Sequence, residues 1–361
     1  MEFGVFSVLD IKENPLTGTV PTHGERIAAV GRVASHAEEV GLDVFAVQEN
    51  HKPDFIGSSP AVLLAFIAAR TRRIQLSTLS TLITINDPVR LAEEYATLQH
   101  LAQGRLDIMV GMRDTVSLPY WSAPETQVGV DLALENYELL YRLWHEEVVD
   151  WDGDFRTPLE GCTASPRPLD GQPPFVWHAT SRSSELADQA AMFGDGFFVS
   201  NMIACIYQYA ELVAEYRQAW EDYGHGRADQ AYVSLGGHVF VAKNSQDAVN
   251  AFRPFFNAST VYGGLSLEEA MTGTALAVGS PQQVTEKILS FREAYGDYQR
   301  QMFWIDQMGL PLDMILDQLD ILGTQIVPVL RTEFEAVRSA GVPSDPPKHG
   351  DLIRPRQLLE I

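Results

Sequence analysis

Two cysteines, Cys162 and Cys205, in 361 residues exclude a disulfide framework, and there is no CxxC pair to hold a metal. Basic residues are also scarce: Lys and Arg number 26 against 48 Asp and Glu, a formal net charge of −22. That field repels phosphate backbones and anionic lipid surfaces, so neither a nucleic-acid nor a membrane partner is expected. The one dense basic cluster, Arg70, Arg72 and Arg73, falls at an apparent helix end, where cations suit the dipole. No uninterrupted apolar run approaches the length of a membrane span. The opening MEFGVFSVLD has Glu2 in place of a basic n-region and too short an apolar run for a signal peptide, so a cytoplasmic location is expected. GxGxxG, HExxH and GxSxG are missing as well, which argues against a Rossmann turn, a zincin helix and a serine-hydrolase elbow.

What is present is a globular composition, 45% hydrophobic and 20% charged. Short β-branched, apolar runs predict strands over 2–9, 43–48, 73–80, 106–111, 174–179, 196–200, 232–241 and 300–305. Helical spacing predicts helices near 25–40 and over 60–70, 88–103, 131–147, 183–193, 203–223, 245–256, 281–295 and 311–338. Eight strands alternating with helices in one chain point to an α/β fold, a (β/α)8 TIM barrel. Two connections, 112–130 and 257–280, are too long for ordinary βα turns and predict long insertions after strands 4 and 7. The pair Gly263-Gly264 suggests mobility in the second. Pro328 lies inside the last helical pattern and should kink it. The expected organisation is one barrel domain over 1–340 and a Pro-rich surface tail over 341–361.

In a parallel barrel, ligand-binding and catalytic groups sit where strands end. The second strand ends in VFAVQENHKPDF, residues 44 to 55, which delivers Glu49, Asn50 and His51 to the barrel mouth. The structural alternative is that Glu49 and His51 pair and seal the rim. The fifth strand runs through Thr180, Ser181, Arg182 and Ser183 into a helix, where free N–H groups, hydroxyls and a guanidinium form a candidate phosphate cradle. A plain serine N-cap accounts for the same residues. His178, at the end of that strand, should point into or near the pocket, whereas His36, His100 and His145 fall in helix patterns and read as structural. Phe6, Tyr120, Trp121 and Trp177 could wall a planar ligand or simply pack the core.

Several segments together resemble the bacterial luciferase-like flavin monooxygenases: FGVFSV near the start, ENHKPDF after strand two, INDPVRLAEEYATLQHLAQGRLDIMVG (85–111), VGSPQQVTEKI (278–288) and GLPLDMILDQLDILGTQIVPVL (309–330). The resemblance implies a barrel with reduced FMN across the strand ends, its phosphate near the fifth strand's loop. It implies a dimer through the second and third helices, as a homodimer or with a related barrel chain. Reduced FMN, supplied by a separate flavin reductase, would react with O2 to a C4a-peroxyflavin that oxygenates a small organic substrate. Thr180 and Ser183 fall where the family contacts phosphate, and Leu79–Ser80 falls where luciferase has a non-proline cis peptide beneath the flavin.

The chain departs from the family at three positions. Asn50 stands where the catalytic subunit has its histidine and cannot act as a general base, which leaves His51 and His178 as candidates. Two phosphate-binding arginine positions are occupied by Met112, with Arg113 beside it, and by Asp131. ENH and Ala179-Thr180-Ser181 are similar to the non-catalytic luciferase β subunit. Three functions follow: an oxygenase, a silent partner subunit, or a deazaflavin-dependent reductase.

Overall fold

The computed structural model describes residues 1–112, 126–180, 183–201 and 203–353. Its central sheet contains β1 (Glu2–Ser7), β2 (Val44–Val47), β3 (Gln75–Thr78), β4 (Thr81–Leu82) and β5 (Asp107–Gly111). After a separate antiparallel hairpin, β6 (Val149–Trp151) and β7 (Leu159–Cys162), the sheet continues with β8 (Phe175–Ala179), β9 (Gly196–Val199), β10 (Val233–Val241), β11 (Ala277–Gly279) and β12 (Arg300–Asp306). All pairings in the main sheet are parallel, in the order β3-β2-β1-β12-β10-β9-β8-β5-β4. Because β3 and β4 are two pieces of one stave, this path returns to its start: the expected (β/α)8 barrel, with eight staves.

Closure at the β3–β5 seam uses little backbone ladder. Leu76 bridges Leu106, and the Leu79–Ser80 peptide, which is cis, interrupts the stave. Between them Thr78 Oγ1 accepts from Met109 N at 2.9 Å and donates to Met109 O at 3.0 Å. One threonine hydroxyl thus satisfies both polar groups of the opposing residue, which would otherwise be buried unpaired.

Alternation sorts the side chains. Phe6, Val44, Ala46, Leu79, Met109, Trp177, Phe198, Met302 and Trp304 fill the barrel interior. Their neighbours Val5, Phe45, Ile108, Val176, Phe197, Leu235 and Phe303 face the helices α1 (His23–Glu39), α2 (Pro60–Ala68), α3 (Pro88–Leu101), α4 (Thr126–His145), α5 (Ser184–Phe193), α6 (Ala210–Asp222), α7 (Ser245–Ala258), α8 (Leu267–Gly273), α9 (Pro281–Tyr295), α10 (Leu312–Ile321) and α11 (Val327–Val337). Gly196 makes room for the largest interior ring, since a Cβ there would lie 2.3 Å from Trp177.

The floor of the barrel is charged and dry. The Arg300 guanidinium binds Glu2 Oε2 through Nε at 2.8 Å and both Asp107 oxygens at 3.1 and 2.6 Å, and lies 4.8 Å over the Trp177 ring. Ser77 donates to Asp107 at 2.5 Å. Chain beyond Gly341 closes this end from below: the Met1 ammonium pairs with Asp345 at 2.9 Å, Gln299 donates to Pro343 O, and Lys348 Nζ lies 3.5 Å from Glu2 Oε1. A last helical turn, α12 (His349–Leu352), sets His349 against Asp170 and Gln99.

Four expectations change. The sixth connection is a helix only from Ala210, preceded by turns. The disturbance expected at Pro328 takes the form of a π turn over Leu322–Ile326 just ahead of it, and the proline takes an early position in α11, where its missing N–H costs least. The hairpin β6–β7 is new, its strands being too short for periodicity to expose. Finally, 257–280 is no bare loop: Tyr262, Leu267, Ala270 and Leu276 are buried with Phe252, Phe255 and Phe256 of α7 in a core of their own. The first long insertion begins within 112–125, of which residues 113–125 lie outside the described residues.

Removing one partner of a buried ion network costs about 3–5 kcal/mol, while replacing all partners by apolar or neutral groups is near neutral. Arg300→Met is therefore expected to cost that much in urea unfolding. Combining it with Glu2→Gln and Asp107→Asn should recover most of the loss.

Candidate active site

The residues picked out at the end of β2 do converge. Glu49 is buried; its carboxylate accepts from Leu82 N at 2.7 Å, from Asn86 Nδ2 at 3.0 and 3.2 Å, and meets His51 Nε2 at 2.9 Å. Glu49 N in turn donates to Ser80 O. Asn50 is held by Gly57 O through its N–H and accepts from Lys52 N, so the loop carrying His51 is braced at both ends. The antiparallel bridge between Asp10 and Phe55, with Ile56 N donating to Leu9 O, ties the same loop to the end of β1. His51 remains only partly covered and sits at the rim. Leu79 belongs to the interior cluster, and Ser80 follows it across the cis bond.

His178 does not join this group. Trp177 and Ala179 pack with the interior residues, so alternation turns His178 outward into the helix layer. There its Nε2 meets Asp195 Oδ2 at 3.0 Å, Tyr137 donates to the same oxygen, and the Tyr137 and His178 rings cross edge-on at 4.3 Å. Burial, reinforced by Asp195, holds the Tyr137 hydroxyl well above the usual tyrosine range.

At the end of β8, Thr180 Oγ1 accepts from Ser183 N at 3.2 Å. Ser183 caps α5, accepting from Leu186 N, and its hydroxyl donates to Glu185 at 2.8 Å. A carboxylate therefore already occupies the positive end of α5, the place expected to take a phosphate. Arg113, Ser181, Arg182, Tyr120 and Trp121 lie outside the described residues. Met112 adjoins the core, and Asp131 is exposed, accepting from Gln127. An open groove of about 680 Å³ outside the wall, between α4 and α5, is lined by Glu135, Glu138, Glu185 and Asp188. Its sign repels phosphate.

Two further clusters at the mouth carry no sequence motif. Arg26 of α1 holds Asp306 at 2.8 Å and Asp10 at 3.5 Å, and donates to Asp10 O and Ser7 Oγ. Asp10 also accepts from Met308 N at 2.9 Å; both Leu9 and Met308 adopt positive φ there, 62° and 59°. His238 of β10 meets the Tyr262 hydroxyl at 2.5 Å and the Gln307 amide, with the Trp304 ring 4.8 Å away. Burial pushes the His238 imidazole down to about 3, so it is neutral at physiological pH. The strand-end rule applied to β2 would have found Asp306 and Gln307 too, had it been applied to β12.

An apolar, aromatic interior, Phe6, Leu79, Met109, Trp177 and Trp304, lies beneath a mouth that carries a carboxylate-bound histidine. Residues 1–298 match the family described as luciferase-like monooxygenase, and the chain belongs to it. N-acetyl-S-alkylcysteine monooxygenase of Bacillus subtilis is 28% identical over 66% of this chain and 69% of its own length. The oxygenase component of flavin-dependent trigonelline monooxygenase of Acinetobacter baylyi is 24% identical over 81% of this chain and 86% of its own. An F420-dependent glucose-6-phosphate dehydrogenase of Kineococcus radiotolerans is 29% identical over 50% of this chain and 59% of its own. Monooxygenase RslO1 from Streptomyces bottropensis shares the fold with a TM-score of 0.77 at 23% identity, covering 91% of this chain and 99% of that one.

Burial pushes the Asp10 carboxyl up from 3.8 to about 6; Arg26 pulls it back and Asp306 adds to the rise. A folded value above the unfolded one means that this group's contribution to stability is full below about 3.8 and is lost as pH rises through about 6. Thermal melts across that window should show this loss in the unmodified chain and a flatter profile in Asp10→Asn. Parallel profiles would assign the slope to another group.

Proposed function

We propose that the protein is a flavin-dependent monooxygenase that uses reduced FMN and O2 to oxygenate a small organic substrate. Glu49 and His51 do pair, 2.9 Å apart, as the structural alternative expects; the observation that carries the reading is that His51 nevertheless stays partly open at the mouth. Glu49 is anchored in the wall by Leu82 N and Asn86, so it fixes the imidazole's orientation. A histidine so held can accept or return a proton at the mouth. Asn50, buried beside it, offers an amide but no base. His178, bound to Asp195 behind the wall, is read as positioning β8 and α5 rather than as touching substrate.

When bound, reduced flavin supplies the two electrons that activate O2. The interior rings give its flat part a dry seat, with the sheet edge at Leu79 and Ser80 beneath it. Thr180, Ser181, Arg182 and Arg113 are the candidates for its phosphate end, the start of α5 itself being taken by Glu185. The relative that is an oxygenase component supports a separate flavin reductase as electron donor. The α2 face, with Val62 exposed and Ala61, Ala65 and Phe66 half-buried, supports pairing of two barrels there.

The F420-dependent relative favours a second reading, hydride transfer with a deazaflavin. Anaerobic titration with photoreduced FMN and with reduced F420, followed by mixing with air, separates the two. Tight binding of reduced FMN with slowed reoxidation supports the oxygenase, and binding of F420 alone overturns it.

His51→Ala is expected to lower product formation at least tenfold while reduced FMN still binds and the lost product appears as hydrogen peroxide. Unchanged turnover would remove His51 from the mechanism.

A further inference from the structure

At the mouth, β12, which β1 alone separates from the Glu49 strand, and the residue just after it leave three buried polar atoms without partners among the described residues, one of them Asp306 Oδ2. The Trp304 indole N–H and the Gln307 Oε1 have no hydrogen bond there, although these residues are only 9% and 2% exposed. Each such group forfeits the hydrogen bond it makes to water in the unfolded chain if nothing meets it. Both lie against one imidazole. The Gln307 amide N–H donates to His238 Nε2, and the Trp304 ring packs 4.8 Å from the His238 ring. His238 cannot turn away, because its other nitrogen, Nδ1, is bonded to the Tyr262 hydroxyl at 2.5 Å and its ring crosses Phe252 edge-on at 5.4 Å. Tyr262 is itself stacked on Phe256, and Val261 beside it packs on the barrel interior. The orphaned donor and the orphaned acceptor are therefore held in place rather than free to find partners within the chain.

We propose that Trp304 and Gln307, fixed by His238 and Tyr262, form a polar subsite for an uncharged group that both accepts and donates, an amide or lactam being the simplest. Its carbonyl oxygen accepts from the Trp304 N–H, and its N–H donates to Gln307 Oε1. A carboxylate is refused, since it has no hydrogen for Gln307. The nearest charge on the strand, Asp306, is negative: its Oδ1 is held by Arg26 and its Oδ2 has no partner among the described residues, so it also disfavours an anion. An aryl group suits the rest of the wall, where Phe6 and Trp304 stack nearly parallel at 6.1 Å and 18°. The subsite lies on β12 and β10, across the mouth from the β8 end expected to take a flavin phosphate. It thus deepens the oxygenase reading by naming the part of the substrate held away from His51.

Calorimetric titration of the flavin-free full chain with benzamide, N,N-dimethylbenzamide and benzoate tests the subsite directly. Benzamide should bind at least tenfold tighter than either analogue, one lacking the N–H and the other charged. Gln307→Leu and Trp304→Phe should each erase that preference with little change in melting temperature. Equal affinity for the three probes, no binding of any, or an unchanged preference in both variants would overturn the proposal. Should the variants fail to fold, the comparison of probes on the unmodified chain still decides. Because no flavin is present, this outcome is independent of the reduced-FMN titration, and either reading can fail alone.

Discussion

The Arg300 guanidinium is the point at which the barrel is tied shut. It reaches Glu2 on the first stave and Asp107 on the fourth, and Asp107 carries Ser77 of the third. Arg300 lies far from both carboxylates in the chain, so the network exists only once the sheet has closed on itself, and contacts of that separation are slow to form. One guanidinium against two carboxylates leaves the floor one charge short of balance. Lys348, brought in by the chain beyond Gly341, stands 3.5 Å from Glu2 and offsets it. Burial of the ions is the constraint; the position of the C-terminal segment answers it.

Above that floor the interior is apolar until the strand ends, and polar side chains return in two arcs. One arc, Glu49 and His51, is braced by the β4 stave and the loop after β2. The other, Asp10, Asp306, His238 and Gln307, is braced by α1 and by the core that α7 and α8 make across the mouth. The first arc holds a group that can move a proton. The second is built so that its histidine stays neutral, which suits holding rather than reacting.

The fold was legible because alternation of apolar runs with helical stripes survives every local irregularity, and the barrel strands fell close to their expected positions. Glu49 and His51 were legible because a buried strand that ends in ionisable side chains must bring them out at the rim, where a parallel barrel gathers its ligand-facing groups. His178 misled: whether a strand-end residue points inward depends on register, and here the interior position belongs to Trp177, which Gly196 admits. Gly263 and Gly264 are exposed together with Leu265 and Ser266, but Tyr262 and Leu267 on either side are buried with α7, since glycine signals conformational freedom and says nothing about what packs beside it. The hydrogen bonds of Arg26, His238 and Tyr262 join residues far apart in sequence, a relation that no short motif displays.

The seam beside β3 gives the wall a mechanical character of its own. The ladders of this stave to β2 and β5 are joined by two side-chain ties, the Thr78 hydroxyl on Met109 and, one step higher, the Glu49 carboxylate on Leu82 N. Glu49 is therefore a rivet of the wall as well as a member of the mouth. Anything that draws the carboxylate toward His51 loosens the stave, and anything that tightens the stave holds the carboxylate back. Events at the mouth are then written into the wall, and the amide protons of Leu82 and Met109 become natural reporters of what the barrel has taken in.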